Sequence, residues 1–163
     1  MPISRSVTRR LPTLLAGAIL LTGLAGCSGS ATRDDDSQEV TEAGTADVFS
    51  LRLGDCFNDT TDEEISDVPA VPCAEPHDNE VYHSFLMPDG EFPGQAAIDA
   101  AVEETCLNEF ESFVGMAYDV STLDIFPLTP TEQGWDELAD REIICTVYDP
   151  AGQTSGSLKG AAR

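Results

Sequence analysis

Positive charge is scarce in this chain. Eight Lys and Arg stand against 30 Asp and Glu in 163 residues, a formal charge of −22, and three of the eight (Arg5, Arg9 and Arg10) lie near the start. Such a field repels phosphate backbones and anionic headgroups, which excludes nucleic-acid binding and favours basic partners or divalent cations. Imidazole is confined to His77 and His83, and Trp135 is the one tryptophan. No internal repeat is visible, which sets aside solenoids and propellers. No Gly-x-Ser-x-Gly elbow nominates a serine nucleophile. His77 and His83 with a carboxylate or Cys73 match no zinc-ligand spacing, and with 30 acids any carboxylate pair is uninformative about sugar cleavage. No cofactor, metal or catalytic residue is expected. The apolar run over 11–24 is of secretory rather than membrane-spanning length.

What is present begins with Leu24-Ala25-Gly26-Cys27, a small-residue run ending in cysteine behind that apolar stretch and its basic flank. It resembles the bacterial lipoprotein lipobox. The resemblance implies that residues 1–26 are a lipoprotein signal peptide, cleaved before Cys27, and that Cys27 carries thioether-linked diacylglycerol and an amide-linked acyl chain such as palmitate. Two or three chains anchor firmly where one is marginal. The expected location is the extracytoplasmic face of the cell membrane. The mature chain, 163 residues less the leader's 26, suffices for one domain. Its five cations (Arg33, Arg52, Arg141, Lys159 and Arg163) against all 30 acids give a formal charge near −25.

Residues 27–47 are mostly Ser, Gly, Thr, Ala, Asp and Glu, too poor in apolar mass to fold alone, and are expected to form a flexible tether. As a coil it spans about 25 Å, and fully extended about 65–70 Å. Asp34, Asp35 and Asp36 lack the spaced oxygens and glycine of a calcium loop. The folded domain is placed at 48–163. Alternation predicts strands over 48–53, 80–87 and 141–148, with a shorter one over 123–126. A strand over 65–71 is pushed to an edge, or to an irregular extended run, by Pro69 and Pro72. Ile98, Val102, Cys106 and Phe110 recur at four-residue spacing in a helix over 94–114 that ends at Gly115. A long turn carrying Pro127, Pro130, Gly134 and Trp135 follows, and 156–162 adds an edge strand or frays. The expected fold is α+β, a mainly antiparallel sheet with one principal helix packed on a face.

Cys56, Cys73, Cys106 and Cys145 remain once Cys27 is set aside, and in an oxidising exterior an even number indicates two disulfides. Of three connectivities, Cys56 with Cys73 and Cys106 with Cys145 is favoured: the first pair brackets one local excursion, and the second ties a helix to a strand, both cysteines pointing inward.

The densest local chemistry is Cys73-Ala74-Glu75-Pro76-His77-Asp78-Asn79-Glu80. His77, Asp78 and Glu80 are candidate binding residues, joined by Trp135, whose ring either caps the core or offers a recognition face. Against a binding role, His77 or Asp78 can bond backbone groups at the turn after Cys73 and fix the entry to the next strand.

Gly54-Asp55-Cys56-Phe57, then Val71-Pro72-Cys73-Ala74-Glu75-Pro76-His77-Asp78-Asn79-Glu80-Val81, then Phe92-Pro93-Gly94 before the helix holding Cys106, together resemble the septum formation domain of actinobacterial envelope proteins. Trp135, Asp140-Arg141, Cys145 and Gly156-Ser157-Leu158 extend the likeness over about 51–160, although 135–141 is longer and more acidic than the Trp, short spacer, Gly-Asp-Arg of that pattern. The resemblance implies an exported or membrane-anchored domain tied to the envelope or septum, with no established reaction. The expected function is a noncatalytic binding or scaffold module for a basic envelope or division protein, engaged through the turns around 76–78 and 130–135. The alternatives are a small envelope hydrolase or amidase using His77, and a solute-binding lipoprotein.

Overall fold

The computed structural model describes residues 29–61 and 65–163. Its centre is a six-stranded antiparallel sheet in the order β3-β5-β4-β6-β8-β7, built from β3 (Gly44–Asp47), β4 (Cys56–Phe57), β5 (Asp67–Val71), β6 (Asn79–Leu86), β7 (Asp124–Ile125) and β8 (Glu142–Tyr148). A hairpin of β1 (Thr32–Arg33) and β2 (Val40–Glu42) precedes it. The long helix α1 (Gln95–Val114) covers one face, and a short helix α2 (Glu132–Glu137) lies before β8. The α+β class and the single principal helix stand as read from the sequence. No helix of the described residues is long and apolar enough to cross a membrane.

The buried stripe of α1 is Ile98, Val102, Cys106, Phe110 and Val114. It packs against Tyr82 of β6 and Ile143, Cys145 and Val147 of β8, with Leu123 and Leu158 closing the ends. Alternation along β8 sends Ile144 to the opposite face, where it meets Val40, Leu51, Phe57, Val68, Ala70 and Val81 in a second apolar layer. Pro93 cannot continue a helix backwards, and Gly94 at φ 84° and Gly115 at φ 81° close the two ends in conformations that glycine adopts most readily. The Tyr82 hydroxyl donates to the Cys106 carbonyl at 2.8 Å, and burial pushes its phenol pKa up. Both favoured disulfides form: Cys56–Cys73 and Cys106–Cys145.

Three expectations give way. The described part of the 27–47 tether, from Gly29, is folded. Ala31 N donates to Thr45 O and Thr45 N donates to Gly29 O, both at 2.9 Å, while Val40 and Ala46 are buried. Arg33 forms a bidentate bond with Asp55 at 2.6 and 2.7 Å, and Asp55 is only 3% exposed. A polar segment poor in apolar residues is thus held by an edge ladder and by a charge pair, neither of which composition registers. The domain accordingly starts before residue 48, and Cys27 lies outside the described residues. Second, 48–53 is not a strand: Asp47 accepts from Phe49 N at 2.8 Å and turns Val48–Ser50 into a single 3₁₀ turn. Third, β5 is interior, between β3 and β4. Pro69 is tolerated there because its carbonyl accepts from Asn58 N at 2.9 Å on the β4 side, just where β4 ends, so the donor it lacks falls beyond the ladder.

Candidate functional site

The four candidate binding residues divide between the two ends of β6. His77, Asp78 and Glu80 gather at its start, and Trp135 sits by the loop that follows its end.

At the first end, Cys56 of β4 stands directly opposite Glu80 of β6, which places both side chains on one face of the sheet. Glu80 is 1% exposed; its carboxylate accepts from the Ser157 hydroxyl and the Leu158 amide, both at 2.6 Å. The C-terminal residues that composition leaves as an edge strand or a frayed end therefore dock: Leu158 is buried, and Gly160 and Ala162 donate to the Phe113 and Val114 carbonyls at the end of α1. His77 is fully buried and exchanges two backbone bonds with Thr154, each 2.9 Å. Its Nδ1 lies 2.9 Å from the Glu75 carbonyl, an acceptor, so Nδ1 carries the hydrogen and Nε2 faces the Thr154 hydroxyl at 3.4 Å. Asp78, half-buried, accepts from Asp59 N at 3.0 Å, and Asn79 donates to the Asp59 carboxylate at 2.8 Å. This is the turn-fixing role set against binding in the sequence. A cavity of about 820 Å³ opens beside it, lined by Cys56, Cys73, Glu80, Tyr82, Glu109 and Lys159 among others.

At the other end, the long turn expected around Trp135 contains α2, capped by Thr131, whose hydroxyl accepts from Gly134 N at 2.9 Å. Trp135 is 2% exposed, which makes its ring a core cap and not a recognition face. Nε1 donates to the Gly90 carbonyl at 2.8 Å, Phe92 meets the ring edge-on, and the Arg141 guanidinium stacks 3.9 Å from its centroid. Arg141 also donates to the Trp135 and Asp140 carbonyls at 2.7 and 2.9 Å.

What the sequence did not single out lies next to α2: a groove of about 570 Å³ with an apolar floor of Ile65, Leu128 and Ile144. Phe49, Phe126 and Leu138 stand at its sides, 53%, 42% and 66% exposed. Asp140 and Glu142 also line it, and among the described lining residues none is basic. The available signal was an unusual density of large apolar residues, 126–128 and Leu138, within polar and proline-rich sequence.

No curated protein and no solved structure matches the chain. The profile of the septum formation family matches residues 53–163, a span that takes in five of the sheet's six strands with both disulfides, α1, the buried His77–Glu80 cluster and the Trp135–Arg141 stack. The chain belongs to the septum formation family.

Proposed function

We propose that this chain is an exported lipoprotein, held through lipid on Cys27 at the extracytoplasmic face of the cell membrane, that acts in the envelope as a noncatalytic binding module for a basic division or wall-assembly protein. The observation that carries the binding role is the groove beside α2. Three exposed apolar side chains around an apolar floor are the kind of surface that a partner's anchor residue fills, and the acidic lining of a strongly anionic chain selects for cations around that anchor. The burial of His77 weighs against a hydrolase that uses it as a base, since a general base must reach the substrate's proton.

Two measurements test the proposal. Cys27→Ser leaves the precursor uncleaved or the domain free of the membrane, read by fractionation and by mass spectrometry of the mature N-terminus; a variant still processed and membrane-bound refutes the anchor. A photo-crosslinking residue at Leu138 gives a product with a basic envelope or division protein that fades as salt rises, and the same residue at Glu104, exposed on α1, does not. Equal products at both positions, or none at Leu138 at any salt, refute the groove as the docking surface.

A further inference from the structure

We propose that reduction of the Cys56–Cys73 disulfide uncovers a zinc site formed by Cys56, Cys73, His77 and Glu80. The oxidised chain holds these groups together already. One ligand atom each from Cys56, His77 and Glu80 lies within 4.8 Å of the others, all three residues are buried, and Cys73 Sγ is bonded to Cys56 Sγ. Two thiolates, one imidazole nitrogen and one carboxylate oxygen make a four-coordinate set of the types zinc takes, at bond lengths of about 2.0–2.3 Å. The linear sequence matches no zinc-ligand spacing because the fold, not the spacing, gathers these groups, and in the oxidised chain the bridge keeps both sulfurs occupied.

The surrounding groups are placed as a metal site requires. His77 Nδ1–H is held by the Glu75 carbonyl, which fixes the ring and leaves Nε2 as the donor atom, and the competing 3.4 Å contact from the Thr154 hydroxyl is long. Glu80 is oriented by Ser157 and Leu158, and each of its oxygens retains a further lone pair. Cys56, Cys73 and Glu80 all line the 820 Å³ cavity, which supplies an entry path.

Access also decides which bridge opens. Cys106, on the inner face of α1, and Cys145, in the strand beneath it, are both fully buried, whereas Cys73 is partly exposed at the cavity wall. A thiolate of an external dithiol attacks Cys73 Sγ, the Cys56–Cys73 bond breaks, and Cys56 leaves as thiolate and takes a proton from solvent. The second thiol of the reductant then closes on the mixed disulfide and frees Cys73. The reductant ends as a disulfide, and the two cysteines have gained two electrons and two protons. Zinc binding expels both protons, leaving two thiolates on the metal. Without metal, two uncharged thiols occupy the same buried position beside the Glu80 carboxylate.

The test uses the full chain carrying Cys27→Ser, so that the other four cysteines are its sole source of thiols. Mild dithiol treatment followed by alkylation is expected to label Cys56 and Cys73 and spare Cys106 and Cys145. Co²⁺ added to that reduced protein is expected to give a thiolate-to-cobalt charge-transfer band at one equivalent, displaced by Zn²⁺, while the oxidised protein gives none. Zn²⁺ raises the melting temperature of the reduced form alone. Glu80→Gln removes a charged ligand in a nearly unchanged shape, and Ser157→Ala removes its support; the latter weakens Co²⁺ binding about 10-fold or more, the usual range for an outer partner, and the former by more than that. Labelling of all four cysteines, absence of the band in a reduced protein that circular dichroism shows to be folded, or an unchanged band in folded Glu80→Gln overturns the site.

Discussion

Cys145→Ser lowers the unfolding free energy by about 5 kcal/mol. The Cys106–Cys145 bridge closes 39 residues, and a loop of that length removes chain entropy equivalent to about 4 kcal/mol from the unfolded state. The serine adds a second cost. Position 145 is fully buried in the apolar cluster of Ile98, Phe110, Ile143 and Val147 beneath α1, so burying a hydroxyl there costs roughly 1 kcal/mol or more. Cys145→Ala, free of the hydroxyl, separates the two contributions and loses nearer 4 kcal/mol. Cys73→Ala opens a loop of 17 residues and loses about 3 kcal/mol, so the ordering of the variants is itself a result to be checked in urea titrations. Domains of this size have about 5–15 kcal/mol in all, which leaves Cys145→Ser marginal. A midpoint within a few tenths molar of the parent would show that the bridge does not staple helix to sheet.

Trp135→Ala costs about 4 kcal/mol. The ring is 2% exposed and in contact with Phe92, and its loss leaves a cavity, an unpaired Gly90 carbonyl and an Arg141 guanidinium without its stacking partner. Arg141 keeps its bonds to the Trp135 and Asp140 carbonyls, but among the described residues its buried Nε makes no hydrogen bond and lies 3.7 Å from the exposed Asp89 carboxylate. Trp135→Phe keeps a ring under the guanidinium but drops the indole N–H, and is expected to lose about 1–2 kcal/mol. Because Thr131, Gly134 and Leu138 line the groove and belong to α2 or its caps, the two variants also test whether docking depends on the stack. Capture of the basic partner should fail for Trp135→Ala and survive for Trp135→Phe, measured at a temperature where both are folded. Equal stability of Trp135→Ala and the parent would show the ring to be dispensable.

How far these features can be read from the chain depends on the range of the interaction involved. The four-residue recurrence from Ile98 to Phe110 and the alternation Ile143, Cys145, Val147 are local signals, and α1, β6 and β8 follow from them almost to the residue. The disulfides follow because an even cysteine set in an oxidising setting has few ways to close. The hairpin at 32–42 is of another kind. Its hold comes from Arg33 reaching Asp55 and from Thr45 bonding to Gly29 and Ala31, pairings that no periodicity announces. β4 is two residues long, below the length at which alternation can be recognised. Glu80 was legible as a candidate in its cluster, but its burial was not: it is one acid among 30, and the docking of Ser157 and Leu158 is what distinguishes it from carboxylates that face water. His77 was legible as a residue of interest in its cluster, but its burial depends on Thr154, 77 positions away.

The early start of the fold bears on geometry at the membrane. With Gly29 already bonded to Thr45, only Ser28 separates a lipid on Cys27 from the first residue of the sheet's edge, a reach of about 7 Å rather than the tens of ångströms of a slack leash. On the proposal that Cys27 is lipidated, the domain does not roam above the bilayer. It is held close to the bilayer surface, and its encounters with neighbours become a search in a plane. Inserting a dozen Gly and Ser residues after Ser28 would restore the slack without touching a single contact within the domain.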